Sequence, residues 1–187
     1  MRPVSHSEES LVLKMQERDS QAMRMFYHLM AGYLTAVCAR YIVQEDLIKD
    51  VLQESFIKIY TRIDRFTYQG EGSLRAWAAR IVVNESLMAL RSHSQQTLTY
   101  VADLPDIEDE DPDVEDIPPD VIQQFIRELP DGYRTVFNLY VFEDKTHQEI
   151  ASLLHIKESS SASQLHRAKS MLAKKITAYK QQTNKRV

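Results

Sequence analysis

Ser160, Ser163, Gln164, Arg167, Lys169 and Lys174 bring hydroxyls, an amide, a guanidinium and two ammonium groups into one short segment. Such groups exchange hydrogen bonds with base edges and phosphate oxygens, which is recognition chemistry rather than bond-breaking chemistry. Residue types suited to catalysis are scattered instead. The six histidines (His6, His28, His93, His147, His155, His166) show no H-x-x-x-H spacing, no C-x-x-C occurs, and there is no glycine-rich phosphate loop. Close-set carboxylates fall in an acidic stretch or on polar helix faces, where general acid–base work is disfavoured. The sequence predicts no catalytic residue, no metal site and no cofactor.

The segment holding those polar groups is the second of two helices read between Thr146 and Lys175. In the first, Ile150, Leu153 and Leu154 recur at helical spacing, and Ala151 on the same side is small enough for a close helix crossing. A break at His155-Ile156-Lys157 follows. Leu165, Ala168, Leu172 and Ile176 then line one face of the second helix, leaving the polar groups on the other. A short bracing helix followed by a long one with a polar face fits a helix-turn-helix, whose second helix lies in the major groove. The turn requires positive φ where glycine is usual; His155 stands there, one of the side chains that tolerates that region. The competing reading is a helical hairpin within a bundle.

The net charge of −4 argues at first against a nucleic-acid partner. Its distribution reverses this. No Lys or Arg occurs from Ser92 to Ile126, where ten carboxylates lie between Asp103 and Asp120; without them 17 acidic residues face 23 basic ones. Residues 121–187 hold 11 basic and 6 acidic residues, the footprint of a module that meets phosphate. Four of the six prolines (Pro105, Pro112, Pro118, Pro119) fall in the acidic stretch, which reads as a flexible linker over residues 96–119. Domains over residues 1–95 and 120–187 flank it.

Glycine is sparse, no period-two strand pattern appears, and the fold class is all-α: two small helical domains, the second a helix-turn-helix domain. In the first domain Ser7 or Ser10 caps a helix carrying Leu11, Val12 and Met15. A second helix spans about Ser20 to Ile42, with Met23, Phe26, Tyr27, Met30, Leu34, Val37, Cys38 and Tyr41 inward. A third runs from Glu45 to Ile63, with Leu47, Val51, Leu52, Phe56, Ile59 and Ile63 inward. A mobile loop with Gly70 and Gly72 leads to a fourth helix from Ser73 to about Arg91. Cys38 on an apolar stripe reads as a core residue. No apolar run is long enough to span a bilayer and the first residues lack a signal-peptide layout, so a cytoplasmic protein without membrane insertion is expected.

Asp50-Val51-Leu52-Gln53-Glu54-Ser55-Phe56 resembles the D-x-x-Q-E-x-F signature of bacterial RNA polymerase sigma factors of the extracytoplasmic-function (ECF) group. Phe66, Gly72-Ser73-Leu74-Arg75-Ala76-Trp77, Arg80-Ile81, Asn84 and Arg91 are similar to the rest of that group's first domain. Leu129-Pro130-Asp131-Gly132-Tyr133-Arg134 with Val136-Phe137, then Gln148-Glu149-Ile150-Ala151, then Ser163-Gln164-Leu165-His166-Arg167-Ala168 resemble its second. The blocks run from about Ser20 to Ile176 in family order.

The resemblance implies a non-enzymatic factor that binds core RNA polymerase and directs it to promoter DNA, with an anti-sigma factor as a further partner. Asp50, Gln53 and Glu54, at i, i+3 and i+4, form one polar patch; by resemblance it grips a helical hairpin of the largest polymerase subunit. Phe66, Tyr68 and their loop, with Arg75, Arg80, Asn84 and Arg91, would hold the displaced strand of the downstream promoter element. Trp77 reads as packing. In the second domain Gln164 suits adenine, Glu158 cytosine, and Ser160 or Ser163 either partner of a pair; Arg167, Lys169 and Lys174 suit phosphates, with Arg167 also able to read guanine. Lys157 stands where the group often has a capping Ser, so Ser159 is expected to cap instead. Ser161 replaces an apolar residue and Met88 a common Asp. The alternative function is a helix-turn-helix regulator that does not bind core polymerase, which would not require the Asp50–Phe56 or Phe66–Arg91 blocks.

Overall fold

The computed structural model describes residues 7–93 and 117–184. Most of the acidic stretch, and with it the expectation of a flexible linker, lies outside the described residues. Within them every helix belongs to one of two compact units, and no strand occurs.

The first unit holds α1 (Glu8–Gln16), α2 (Ser20–Ala39), α3 (Glu45–Arg62), a 3-10 turn (Ile63–Arg65) and α4 (Ser73–His93). Ser7 caps α1, its hydroxyl accepting from the Ser10 N–H at 3.3 Å. Asp19 caps α2, accepting from the N–H groups of Gln21 (2.7 Å) and Ala22 (2.9 Å), and these bonds hold its carboxyl below the usual range. Helix α2 ends at Ala39, short of the expected Ile42. The chain then tightens, with the Tyr41 and Ile42 N–H groups both donating to Cys38 O, and buries both side chains completely.

Met15, Phe26, Leu34, Cys38, Ile59, Ile63, Leu74, Val82 and Leu87 make the core of this unit. Burial of each large apolar side chain there contributes about 1.5–3 kcal/mol. Burial pushes the Cys38 thiol up, as suits an inert packing residue. Two details differ from the periodicity reading. Tyr27 is 48% exposed, its ring resting against Phe56 at 4.9 Å. On α3, Ile48 and Ser55 are buried, while Leu47 and Leu52 are only half-buried. Ser55 tolerates the core because its hydroxyl donates to Val51 O at 2.7 Å within its own helix.

The second unit holds α5 (Pro119–Arg127), α6 (Asp131–Val141), α7 (His147–Leu154) and α8 (Glu158–Asn184). Proline at the first turn of α5 costs nothing, since that N–H has no helical partner. Ile117, just before it, is buried with Ile126, Leu129, Tyr133, Ala168, Leu172 and Ile176. Ordered packing against α8 therefore begins ahead of Pro119. The four residues chosen for the inner face of the last helix, Leu165, Ala168, Leu172 and Ile176, are all buried.

Candidate nucleic-acid interface

The turn between α7 and α8 forms as its sequence requires. Thr146 and Glu149 make a reciprocal capping box at the start of α7: the Glu149 N–H donates to Thr146 Oγ1 at 3.2 Å and the Thr146 N–H to Glu149 Oε2 at 2.9 Å. With Lys145 donating from 3.0 Å, these bonds pull the Glu149 carboxyl down to about 2, the Thr146 backbone bond being the largest cause. At the other end His155 adopts φ 55° and ψ 42°, the left-handed conformation normally given to glycine, and the Ile156 N–H returns to Ala151 O at 3.1 Å.

Helix α8 starts at Glu158, and the Ser161 N–H donates to Lys157 O at 3.1 Å. Ser159 therefore lies inside the first turn, where its carbonyl accepts from Ser163 Oγ at 2.9 Å, and it is not the cap. The Lys157 carbonyl already takes the first helical bond, so the helix start does not shift. Ser161 is fully buried against α7, with its Oγ 3.0 Å from His147 Nδ1. That hydrogen bond is what lets a serine occupy an apolar position.

This start sets the register of the face proposed to read bases. Glu158 and Ser163 are exposed, and Ser160 and Gln164 half-exposed along the first two turns of α8. Arg167 and Lys169 are also half-exposed; the Arg167 guanidinium donates to Tyr133 Oη at 3.4 Å, so α6 helps aim it. Lys174 is exposed, whereas Lys175 turns toward α5 and meets Glu128 at 2.5 Å. Arg134, present in a sequence motif but given no role by it, is 2% exposed. It donates to the carbonyls of Leu129 (2.8 Å) and Arg127 (3.2 Å) and pairs with Asp131 at 2.6 Å. These bonds tie the end of α5 to α6.

In the first unit Asp50, Gln53 and Glu54 are all exposed on one face of α3. Ile57, 47% exposed and one turn further along that face, adds apolar surface to it. Lys58 behind it bonds Glu85 of α4 at 2.5 Å and locks the two helices together. Arg80, Asn84 and Met88, spaced by four, form an exposed row on α4 that Arg91 continues; Arg75 stands one turn before them with its guanidinium 3.8 Å above the Tyr33 ring.

The loop before α4 differs from its reading as mobile. Gln16 Nε2 donates to Ile63 O (3.0 Å) and Phe66 O (2.8 Å). At the far end the Glu8 carboxylate accepts from the N–H groups of Gly72 and Leu74, both at 2.8 Å. Gly70 and Gly72 sit at φ 110° and 88°, which only glycine adopts without strain. Phe66 is half-buried with its ring 5.0 Å from that of Trp77, itself only half-buried. Partial burial, then the carboxylates of Glu8, Glu9 and Glu71, push the Tyr68 phenol above its ordinary value.

Residues 26–96 match the family described as Sigma-70 region 2, and residues 120–172 match Sigma-70, region 4. Both occur in order and together take in about two thirds of the chain. The chain is a sigma factor of the ECF group. An ECF RNA polymerase sigma-E factor of Haemophilus influenzae is 27% identical over 185 residues, covering 91% of this chain and 95% of the relative. The factor of the same description from Escherichia coli K12 is 22% identical, covering 91% and 94%. Among solved structures, CnrH in complex with the cytosolic domain of CnrY is similar at 17% identity and a TM-score of 0.47, covering 90% of this chain and 96% of that one. Sigma factors direct a polymerase and catalyse no reaction themselves. Among the described residues no group of three His, Cys, Asp or Glu could hold a metal ion, and no helix is long and apolar enough to cross a membrane.

Proposed function

We propose that this sigma factor binds core RNA polymerase chiefly through its first unit and selects promoters with both, working in the cytoplasm where polymerase and chromosome meet. The observation that carries this is the ordered pair of sigma regions, one on each compact unit.

Residues 1–95 form the polymerase-binding and downstream-element domain and residues 120–187 the upstream-element domain, with the acidic stretch expected over residues 96–119 as the tether, less Ile117 to Pro119, which belong to the second unit. Asp50, Gln53 and Glu54 meet basic groups of the polymerase hairpin, with Ile57 supplying the apolar part of that contact. Carboxylates around Tyr68 repel phosphate, so the Phe66–Gly72 loop contacts unstacked bases while Arg75, Arg80, Asn84 and Arg91 follow the strand's backbone. Gln164, Glu158, Ser160 and Ser163 read base edges of the upstream element; Arg167 and Lys169 hold phosphates. An anti-sigma factor covers these surfaces when the factor is held inactive. Exposed Leu29 and Met88 give such a partner apolar purchase on the first unit.

Run-off transcription with core RNA polymerase on fragments of the source genome tests the proposal. Discrete transcripts with the wild-type chain, lost in Gln53→Ala/Glu54→Ala and in Gln164→Ala/Arg167→Ala, are expected. Promoter-independent background with every version would instead favour a helix-turn-helix regulator that does not work through core polymerase.

A further inference from the structure

Helix α1 lies before the residues matched by the region 2 family, yet both of its ends are bonded to the loop that the proposed function uses. Glu8 in its first turn reaches across to α4. One carboxylate oxygen accepts from the Gly72 N–H at 2.8 Å, and the other from the Leu74 N–H at 2.8 Å. These are N–H groups that the start of a helix leaves unpaired, and a carboxylate there is further favoured by the positive end of the helix dipole. The cap position itself is Gly72, whose carbonyl takes the first helical bond from the Ala76 N–H at 3.0 Å and which has no side chain to offer an acceptor, while the Ser73 hydroxyl donates to Gly70 O at 2.6 Å. Gln16 in the last turn of α1, about 12 Å along the axis at 1.5 Å per residue, holds the carbonyls of Ile63 and Phe66 where the loop begins.

We propose that Glu8 is a positioning residue for promoter recognition: from α1 it caps α4 and, together with Gln16, fixes the shape of the Phe66–Gly72 loop that captures downstream-element bases. The loop has two glycines at positive φ, so its own sequence leaves its conformation open; the cross-helix carboxylate selects one. A pocket for an unstacked base is useful only when preformed, because ordering it on binding costs affinity. Charge matters as much as shape here. Gln in place of Glu is nearly isosteric, but it presents one N–H₂ group where two backbone donors converge and removes the negative charge from the helix start. This inference rests on the reading of the loop as a DNA-contacting element.

The test uses the full chain with core RNA polymerase on a promoter that the wild type transcribes in run-off assays. Preference is measured for the matched downstream element over a base-substituted one, and likewise for the upstream element. Glu8→Gln is expected to lower the downstream preference roughly tenfold, the scale of one charge-assisted hydrogen bond, with core affinity and upstream preference unchanged. Amide exchange at Gly72 and Leu74 should accelerate in the same variant. Gln16→Met, which removes both donors at the loop's other end, should also lower the downstream preference alone, and it carries the test should Glu8→Gln fail to fold. Undiminished downstream preference in the variants overturns the inference while leaving the sigma reading intact. Parallel losses in core affinity and upstream preference assign Glu8 a purely structural role and overturn it too. A wild-type chain that yields no discrete transcript overturns the sigma reading and this inference together.

Discussion

The guanidinium of Arg134 donates to the backbone carbonyl of Leu129 at 2.8 Å from a side chain that is almost wholly buried. Leu129 lies just past the end of α5, and the same guanidinium nitrogen reaches the carbonyl of Arg127 at 3.2 Å, one of those that a helix terminus leaves without a helical partner.

Replacement of Arg134 by Met keeps the volume and removes the donors. The carbonyls of Arg127 and Leu129 then stay buried and unpaired, and Asp131 loses its partner. Arg134→Met should destabilise the second unit by about 2–4 kcal/mol. Chemical denaturation followed by amide exchange within residues 119–184 measures it; a loss below about 0.5 kcal/mol, the level of an ordinary surface change, would refute the role.

His155→Gly should do the opposite. His155 holds φ 55°, which costs a side-chain-bearing residue about 1 kcal/mol or more relative to glycine. The greater freedom of glycine in the unfolded chain offsets part of that gain. A stability increase of up to about 1 kcal/mol is expected, read from the denaturant midpoint at unchanged slope. A decrease would show that contacts of the imidazole outweigh backbone strain.

The contrast between these two residues shows what was legible in the sequence. His155 announced itself, because a break between two apolar stripes demands a left-handed residue and the demand is local. The helix-turn-helix, its inner face at Leu165, Ala168, Leu172 and Ile176, and the all-α class rest on the same kind of short-range periodicity. Arg134 stood inside a recognised motif, but its role depends on carbonyls that only the docked α5 supplies. Glu8 was less visible still, since its partners are more than sixty residues away and one of them is the N–H of a glycine. Ser161 looked like a flaw in an apolar pattern until His147 stood opposite it. The Thr146–Glu149 capping box was readable, three residues apart at a helix start, and was passed over. The proposed contact residues on α3, α4 and α8 stand on exposed or partly exposed faces, which shows their accessibility and leaves their roles to experiment.

Glu149 predicts a pH dependence confined to strong acid. Its folded-state carboxyl is lowered from 4.5 to about 2, so the stabilisation it gives α7 is complete above the unfolded value and fades as pH falls from 4.5 toward 2. An NMR titration should therefore show the Glu149 side chain ionising well below an ordinary glutamate. In Glu149→Gln the amide exchange of α7 should lose its acid-dependent component across that interval. A titration midpoint near 4.5 would mean that the capping box does not persist in solution.

On α8, Gln164 and Lys169 should fail differently when truncated. Gln164→Ala removes a group suited to a base edge, so it should cost about 1–3 kcal/mol at the matched upstream element and nearly nothing on unrelated DNA. Lys169→Ala removes a phosphate contact, which weakens binding to all sequences alike and lowers the salt slope by about one counterion. Binding of the holoenzyme to matched and scrambled upstream elements at several salt concentrations separates the two. If Gln164→Ala weakens both DNAs equally, the register that begins α8 at Glu158 does not present this face to the groove, and the assignment of base-reading residues on that helix is wrong.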